Sequence, residues 1–92
     1  MLLTIDVGNT NTVLGIFQGD ELIRSWRVKT DPRTTADELW LQYHALVAGY
    51  EVTGLSICST VPATLRELRT MIATYFSSVP RSEERRVGKE CL

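Results

Sequence analysis

The chain has 92 residues, 43% hydrophobic and 23% charged, and a net charge of −1 from ten Lys and Arg against eleven Asp and Glu. That length holds one small domain or a piece of a larger one, and a domain this small buries only about 60–65% of its unfolded surface. The balanced charge argues against a nucleic-acid module, which carries a basic excess, and no apolar run is long enough to span a bilayer.

The opening Met1-Leu2-Leu3-Thr4-Ile5-Asp6 has no basic start and meets a carboxylate at once, unlike a signal peptide. Cys58 and Cys91 lie far apart and form no CxxC pair, so a reduced, cytoplasmic chain is expected.

Residues 2–7 are mostly β-branched or apolar and predict a strand. Gly8-Asn9-Thr10-Asn11 is a turn signal, because Gly and Asn tolerate positive φ. Residues 12–18 predict a second strand, with Gly15 marking a bulge or a close backbone approach. Gly19-Asp20 is a second tight turn. Residues 21–29 alternate, with Leu22, Arg24, Trp26 and Val28 on one parity and Ile23, Ser25, Arg27 and Lys29 on the other. Three strands joined by short turns make an antiparallel meander.

After a loop at 30–34, Thr34 or Thr35 caps a helix whose first turn holds Asp37 and Glu38, where the helix dipole favours them. Ala36, Leu39, Trp40, Tyr43, Leu46 and Val47 follow helical spacing, so 36–48 reads as an amphipathic helix ended by Gly49. Residues 54–58 read as a short buried strand. Ser59 or Thr60 is expected to cap a second helix over 62–76, which starts at Pro62 and buries Leu65, Leu68, Ile72, Tyr75 and Phe76. The order β-β-β-α-β-α predicts an α/β fold with a mixed sheet and helices on its faces. Such a unit leaves the sheet short, so a truncated domain over 1–80 is expected.

Composition changes near residue 81. In Arg81-Ser-Glu-Glu-Arg-Arg-Val-Gly-Lys-Glu-Cys-Leu92, seven of twelve residues are charged, and Val87, Cys91 and Leu92 suit neither helix nor strand spacing. Residues 81–92 read as a solvated tail or as non-native sequence, and stand outside the expected fold.

The stretch with chemistry is Asp6-Val7-Gly8-Asn9-Thr10-Asn11-Thr12. It puts a carboxylate at the end of the first strand and follows it with a turn of glycine, amides and hydroxyls. Glycine lets the backbone approach an anion, turn N–H groups can form a concave anion site, and Asn and Thr add neutral donors. No Lys or Arg precedes Arg24, so a polyphosphate held there needs a cation, and Asp6 is a hard oxygen ligand suited to Mg²⁺ through water. Those parts suit phosphoryl transfer. The same spacing also fits an ordinary hairpin whose Asp and Asn stabilise their own turn. No Walker A pattern, GxxxxGK[ST], occurs in the chain.

Two hairpin arms around such a turn, in this element order, resemble the actin-like (ribonuclease H-like) superfamily that includes sugar kinases. Within it, DVGNTNTVLGIF at 6–17, LIRSWRVKT at 22–30, TADE at 35–38 and STVP at 59–62 resemble the N-terminal part of a type III pantothenate kinase. The resemblance covers residues 1 to about 80, and DVGNTNT is its most specific piece. It implies transfer of the γ-phosphate of ATP to the primary hydroxyl of pantothenate, the committed step toward coenzyme A. It further implies Mg²⁺, a monovalent cation (K⁺ or NH₄⁺), a cytoplasmic location and a homodimer, with no nucleic acid or membrane partner.

Carried over by position, ATP-phosphate contact falls on Asp6, Val7, Gly8, Asn9, Thr10, Asn11, Thr12 and Val13, with Asp6 near the metal. The family's catalytic aspartate lies in a Gly-x-Asp-Arg motif that these 92 residues do not contain, so no catalytic residue is assigned and the fragment is expected to be inactive. The alternative is a non-catalytic actin-like accessory or regulatory factor.

Other polar and aromatic residues read as structural. Asp37 and Glu38 suit a helix start better than general-base work. His44, the sole histidine, has no partner at metal-ligand spacing. Cys58 reads as an inert core thiol, Trp26 and Trp40 as packing residues, and Arg66 and Arg69 as solvated. Arg24 and Arg27 lie on opposite faces of one strand and form no single phosphate clamp.

Overall fold

The computed structural model describes residues 1–77, residue 79 and the backbone of residues 81–85. Its elements run β1 (Leu2–Val7), β2 (Asn11–Gln18), β3 (Glu21–Lys29), α1 (Ala36–Val47), β4 (Gly54–Ser59), α2 (Pro62–Tyr75) and β5 (Arg81–Arg85). The first six follow the expected order, with bounds within one residue of those read from the sequence. The seventh departs from it. The backbone of Arg81–Arg85 pairs parallel to β4, so the charged segment enters the sheet with its first five residues. Residues 86–92 lie outside the described residues.

The sheet has the order β3-β2-β1-β4-β5. β1 pairs antiparallel with β2 and parallel with β4, and β2 pairs antiparallel with β3. Helix α1 makes the crossover from the β3 edge back to β4. The period of two along each strand then sorts side chains by face. Leu3, Ile5 and Val7 of β1 lie beside Ile16, Leu14 and Thr12 of β2 and beside Leu55, Ile57 and Ser59 of β4. Both helices cover this face, with Leu39, Tyr43 and Val47 from α1 and Leu65, Leu68, Met71 and Ile72 from α2. Each such side chain stabilises the fold by about 1.5–3 kcal/mol on burial. Leu2, Thr4 and Asp6 point to the opposite face.

β3 does not keep a single alternation. Its register against β2 shifts between Ile16 and Phe17, so that Phe17 faces Leu22 while Ile16 faces Arg24. Ile23 is the extra residue of a β-bulge, which sends Leu22 and Trp26 to opposite faces although the sequence puts them on one parity. Gly15 sits beside the bulge because a Cβ there would come within 2.8 Å of Thr4 Oγ1 and 3.3 Å of Leu22 Cδ1.

The turn after β1 also differs from expectation. Among the described residues, Gly19 (φ 63°) alone has a positive φ. Gly8 is needed for closeness instead: its N–H donates to the Asn11 carbonyl at 2.9 Å, and a Cβ would lie 3.2 Å from that oxygen.

Helix α1 begins with a capping box. Thr35 Oγ1 accepts from Glu38 N–H at 3.3 Å, and Glu38 Oε1 accepts from Thr35 N–H at 3.0 Å. A second carboxylate contact comes from α2, where Glu67 Oε1 accepts from Ala36 N–H at 2.9 Å. The N-cap of α2 is Val61, with no side-chain cap, rather than Ser59 or Thr60. Ser59 Oγ instead accepts from Val61 N–H and donates to Val61 C=O, both at 3.0 Å, which tightens the turn before the helix.

Trp26 and Trp40 pack as expected, whereas Tyr75, expected on the buried face of α2, is 38% exposed and Phe76 is half-buried. Trp40 stacks between His44 and Tyr75, with ring centroids at 4.5 and 4.4 Å, and Trp26 meets Tyr50 edge-on at 5.9 Å. Cys58 is buried in β4, and whether it pairs with Cys91 lies outside the described residues.

Candidate functional site

The parallel pair β1 and β4 ends on one side of the sheet, next to the hairpin that leads into antiparallel β2. A cleft of about 250 Å³ lies there, bordered by Asp6, Val7, Gly8, Asn11, Val13, Arg27 and Thr60.

Each of these residues is placed by local structure. Asp6 lies opposite Val13 across β1 and β2, on the face away from the helices, and is half-buried. Val13 lies opposite Arg27 across β2 and β3, so Asp6, Val13 and Arg27 form one row across three strands. Without the bulge at Ile23 the residue opposite Val13 would be Trp26. Thr60 is tied to the end of β1, since its N–H and its hydroxyl reach the Val7 carbonyl at 3.1 and 3.4 Å. Helix α2 starts two residues later, with no acidic residue in its first turn, so its positive dipole end stands on the Thr60 side of the cleft.

A family model for type III pantothenate kinase matches residues 2–88. The chain belongs to the type III pantothenate kinase family. It is 61% identical over 80 residues to a type III pantothenate kinase of Parafrankia sp. (strain EAN1pec), covering 87% of this chain and 32% of that one. To a type III pantothenate kinase of Frankia alni it is 62% identical over 80 residues, with the same coverage. It thus spans about a third of the length of the curated relatives it matches. Among solved structures, the Thermus thermophilus RuvC structure is similar with a TM-score of 0.56 and 21% identity, over 91% of this chain and 60% of that chain. That likeness concerns the fold alone and agrees with the α/β, ribonuclease H-like reading.

In this pantothenate kinase-family chain, the motif at 6–13 divides. Asp6, Val7, Gly8, Asn11 and Val13 border the cleft, although the Val7 side chain belongs to the core. Asn9 and Thr10 are exposed at the hairpin tip. Thr12 turns to the helix side, is 2% exposed and shares a hydrogen bond of 2.8 Å with Thr30. The Gly8 amide is already used within the hairpin, so it adds nothing to an anion cradle.

Arg27 is the cleft residue that sequence reading passed over. Its placement apart from Arg24 was legible from alternation, but its alignment with Val13 and Asp6 depends on the bulge. Thr60 was visible only as a candidate helix cap and as part of the STVP motif. The TADE motif serves helix α1 and not the cleft: Thr35 and Glu38 form its cap, and Asp37 Oδ1 accepts from Tyr75 O–H at 2.9 Å. The bonds from Thr35 hold the Glu38 carboxyl below its usual range. Asp31 is likewise lowered, first by the Arg33 backbone N–H and then by its side chain.

Among the described residues no group of three His, Cys, Asp or Glu gathers. A single carboxylate beside an amide and a hydroxyl fits a magnesium ion that keeps most of its waters and leans on substrate phosphates. Also among the described residues, no helix is long and apolar enough to cross a membrane.

Proposed function

We propose that this chain is the ATP-phosphate-binding portion of an enzyme that phosphorylates pantothenate to 4'-phosphopantothenate with ATP, the first step of coenzyme A biosynthesis. The observation that carries the reading is the cleft at the ends of β1 and β4, built from the same DVGNTNT stretch on which the family resemblance rests. The relatives at 61–62% identity carry the kinase name, and the accessory-factor reading is not favoured.

The roles follow from chemistry. Phosphoryl transfer depends on positioning and on neutralising charge. Arg27 supplies a permanent cation with forked donors suited to phosphate oxygens. Asn11 and Thr60 supply neutral donors, and the adjoining start of α2 adds its dipole. Asp6 would hold Mg²⁺ through water, and the ion would supply charge neutralisation for the phosphates. Carried over from the motif, Val7, Gly8, Asn9, Thr10, Thr12 and Val13 shape the hairpin around those groups. The monovalent cation (K⁺ or NH₄⁺), the homodimer and the cytoplasmic location belong to the same proposal. So does the assignment of residues 1–80 to an incomplete domain and of 81–92 to a non-native tail. These 92 residues contain no Gly-x-Asp-Arg motif, and the chain alone is expected to bind nucleotide without turning over pantothenate.

The test is an assay of ATP- and Mg²⁺-dependent pantothenate phosphorylation by a full-length protein that carries residues 1–80. Arg27→Gln should raise the KM for ATP at least about tenfold, the value of one lost charge-assisted hydrogen bond. A full-length protein inert toward pantothenate, or an Arg27→Gln variant with unchanged KM, would overturn the reading.

A further inference from the structure

On the helix side of the sheet, behind the cleft, four hydroxyl groups converge from four segments. Thr12 is on β2, Thr30 follows β3, Tyr43 is on α1 and Thr64 is in the first turn of α2. All four residues are buried, and all border one cavity of about 10 Å³ whose rim carries the exposed Lys29, Asp31 and Gln42. The Thr12 and Thr30 hydroxyls lie 2.8 Å apart, and the Tyr43 phenol borders the same cavity. Burial pushes that phenol up to about 12, so it keeps its proton at neutral pH. The Thr64 hydroxyl is the exception. The residue is 4% exposed, and its Oγ1 has no hydrogen-bond partner.

A buried hydroxyl without a partner is costly, and native folds satisfy such groups with protein or with water. The cavity beside Thr64 has the volume of about one water-sized sphere, which excludes any larger ligand. Apolar cavities stay dry, but a buried water needs two to four polar partners, and hydroxyls from three sides offer them. Each hydroxyl supplies one proton and two lone pairs, so the Thr12–Thr30 bond leaves both donor and acceptor capacity in the cluster.

We propose that this cavity binds one ordered water, which pairs with the Thr64 hydroxyl and bridges it to Thr30 and to the Tyr43 phenol. The bridge ties α2 and α1 to Thr12, the residue between cleft-lining Asn11 and Val13. It thereby fixes the hairpin from behind. The consequence for ATP rests on the function proposed above, whereas the water itself does not.

The test uses the 92-residue chain and measures long-lived internal water by oxygen-17 relaxation dispersion, with urea unfolding alongside. Thr64→Val, which swaps the hydroxyl for a methyl, should lose the signal of one long-lived water and lower the urea midpoint. Thr64→Ser should keep the water. An unchanged dispersion amplitude in Thr64→Val would overturn the proposal. So would a raised urea midpoint, the result expected when a dry, unpaired hydroxyl is removed. Should Thr64→Val fail to fold, the wild-type dispersion decides the matter, the signal of a long-lived water supporting the proposal and its absence refuting it. ATP binding enters none of these readouts, so their failure is distinct from failure of the kinase reading.

Discussion

The two faces of the sheet divide stability from chemistry within the same strands. In Ile5-Asp6-Val7, the outer two side chains are buried under the helices and the middle one borders the cleft. The helix face is built of large aliphatic residues from β1, β2 and β4, while the other face presents Thr4, Asp6, Gly15, Ser56 and Arg27 together with Leu2, Val13, Phe17 and Leu22. Because alternation is strict in β1, a carboxylate can be aimed at a ligand without costing the core a residue. The rigid core strand then positions that carboxylate more firmly than a loop could.

Substitutions on the helix face should be the most damaging to folding. Leu14→Ala leaves a cavity in a fully buried layer and should destabilise the chain by about 2–5 kcal/mol, measured by urea unfolding. On the cleft face, Gly15→Val tests the close approach at the bulge. The added side chain collides with Thr4 and Leu22 and should cost about 1–3 kcal/mol, and an unchanged midpoint would show that the bulge yields freely.

Thr35→Ala removes a cap remote from both faces and should cost about 1 kcal/mol. Its effect should depend on pH. Glu38 has a lowered folded-state pKa, so its contribution is present above its unfolded value, near 4.5, and fades as pH falls through the folded value. The gap between wild type and Thr35→Ala should therefore narrow in acid, and a gap constant from pH 7 to pH 3 would count against the paired cap.

The smallest effect on folding is expected at Asp6. Asp6→Asn should shift stability by no more than about 0.5 kcal/mol while weakening Mg·ATP binding, read by calorimetry. A variant that unfolds instead would break the division between the faces.

Much of this was legible in the sequence because it rests on local signals. The alternation in β1, the 3.6 spacing of Leu39, Tyr43 and Val47, Pro62 at a helix start and the Thr35–Glu38 pair are each set within a few residues. What was hidden depends on partners far along the chain. A bulge at Ile23 is a choice between two strands, and it alone decides whether Trp26 or Arg27 faces Val13. The cap from Glu67 to Ala36 spans 31 residues and needs both helices packed. The glycine at position 8 was recognised, but its cause is the Asn11 carbonyl and not a positive φ. The cleft was half legible: Asp6 and the hairpin stood out by composition, whereas Arg27 enters through strand register and Thr60 through its bonds to the Val7 carbonyl.

The bulge in β3 has a further consequence, for solubility. β3 is an outer strand of the sheet, with one rim of backbone groups open to pairing by another molecule. Such a rim invites chain-to-chain propagation unless it is twisted or charged. Here the extra residue at Ile23 breaks the regular spacing that an incoming strand would need. Arg24, Arg27 and Lys29 along the same strand add like charges that two stacked copies would have to bring together. The irregularity that aligns Arg27 with Asp6 therefore also makes this rim a poor template for a second strand.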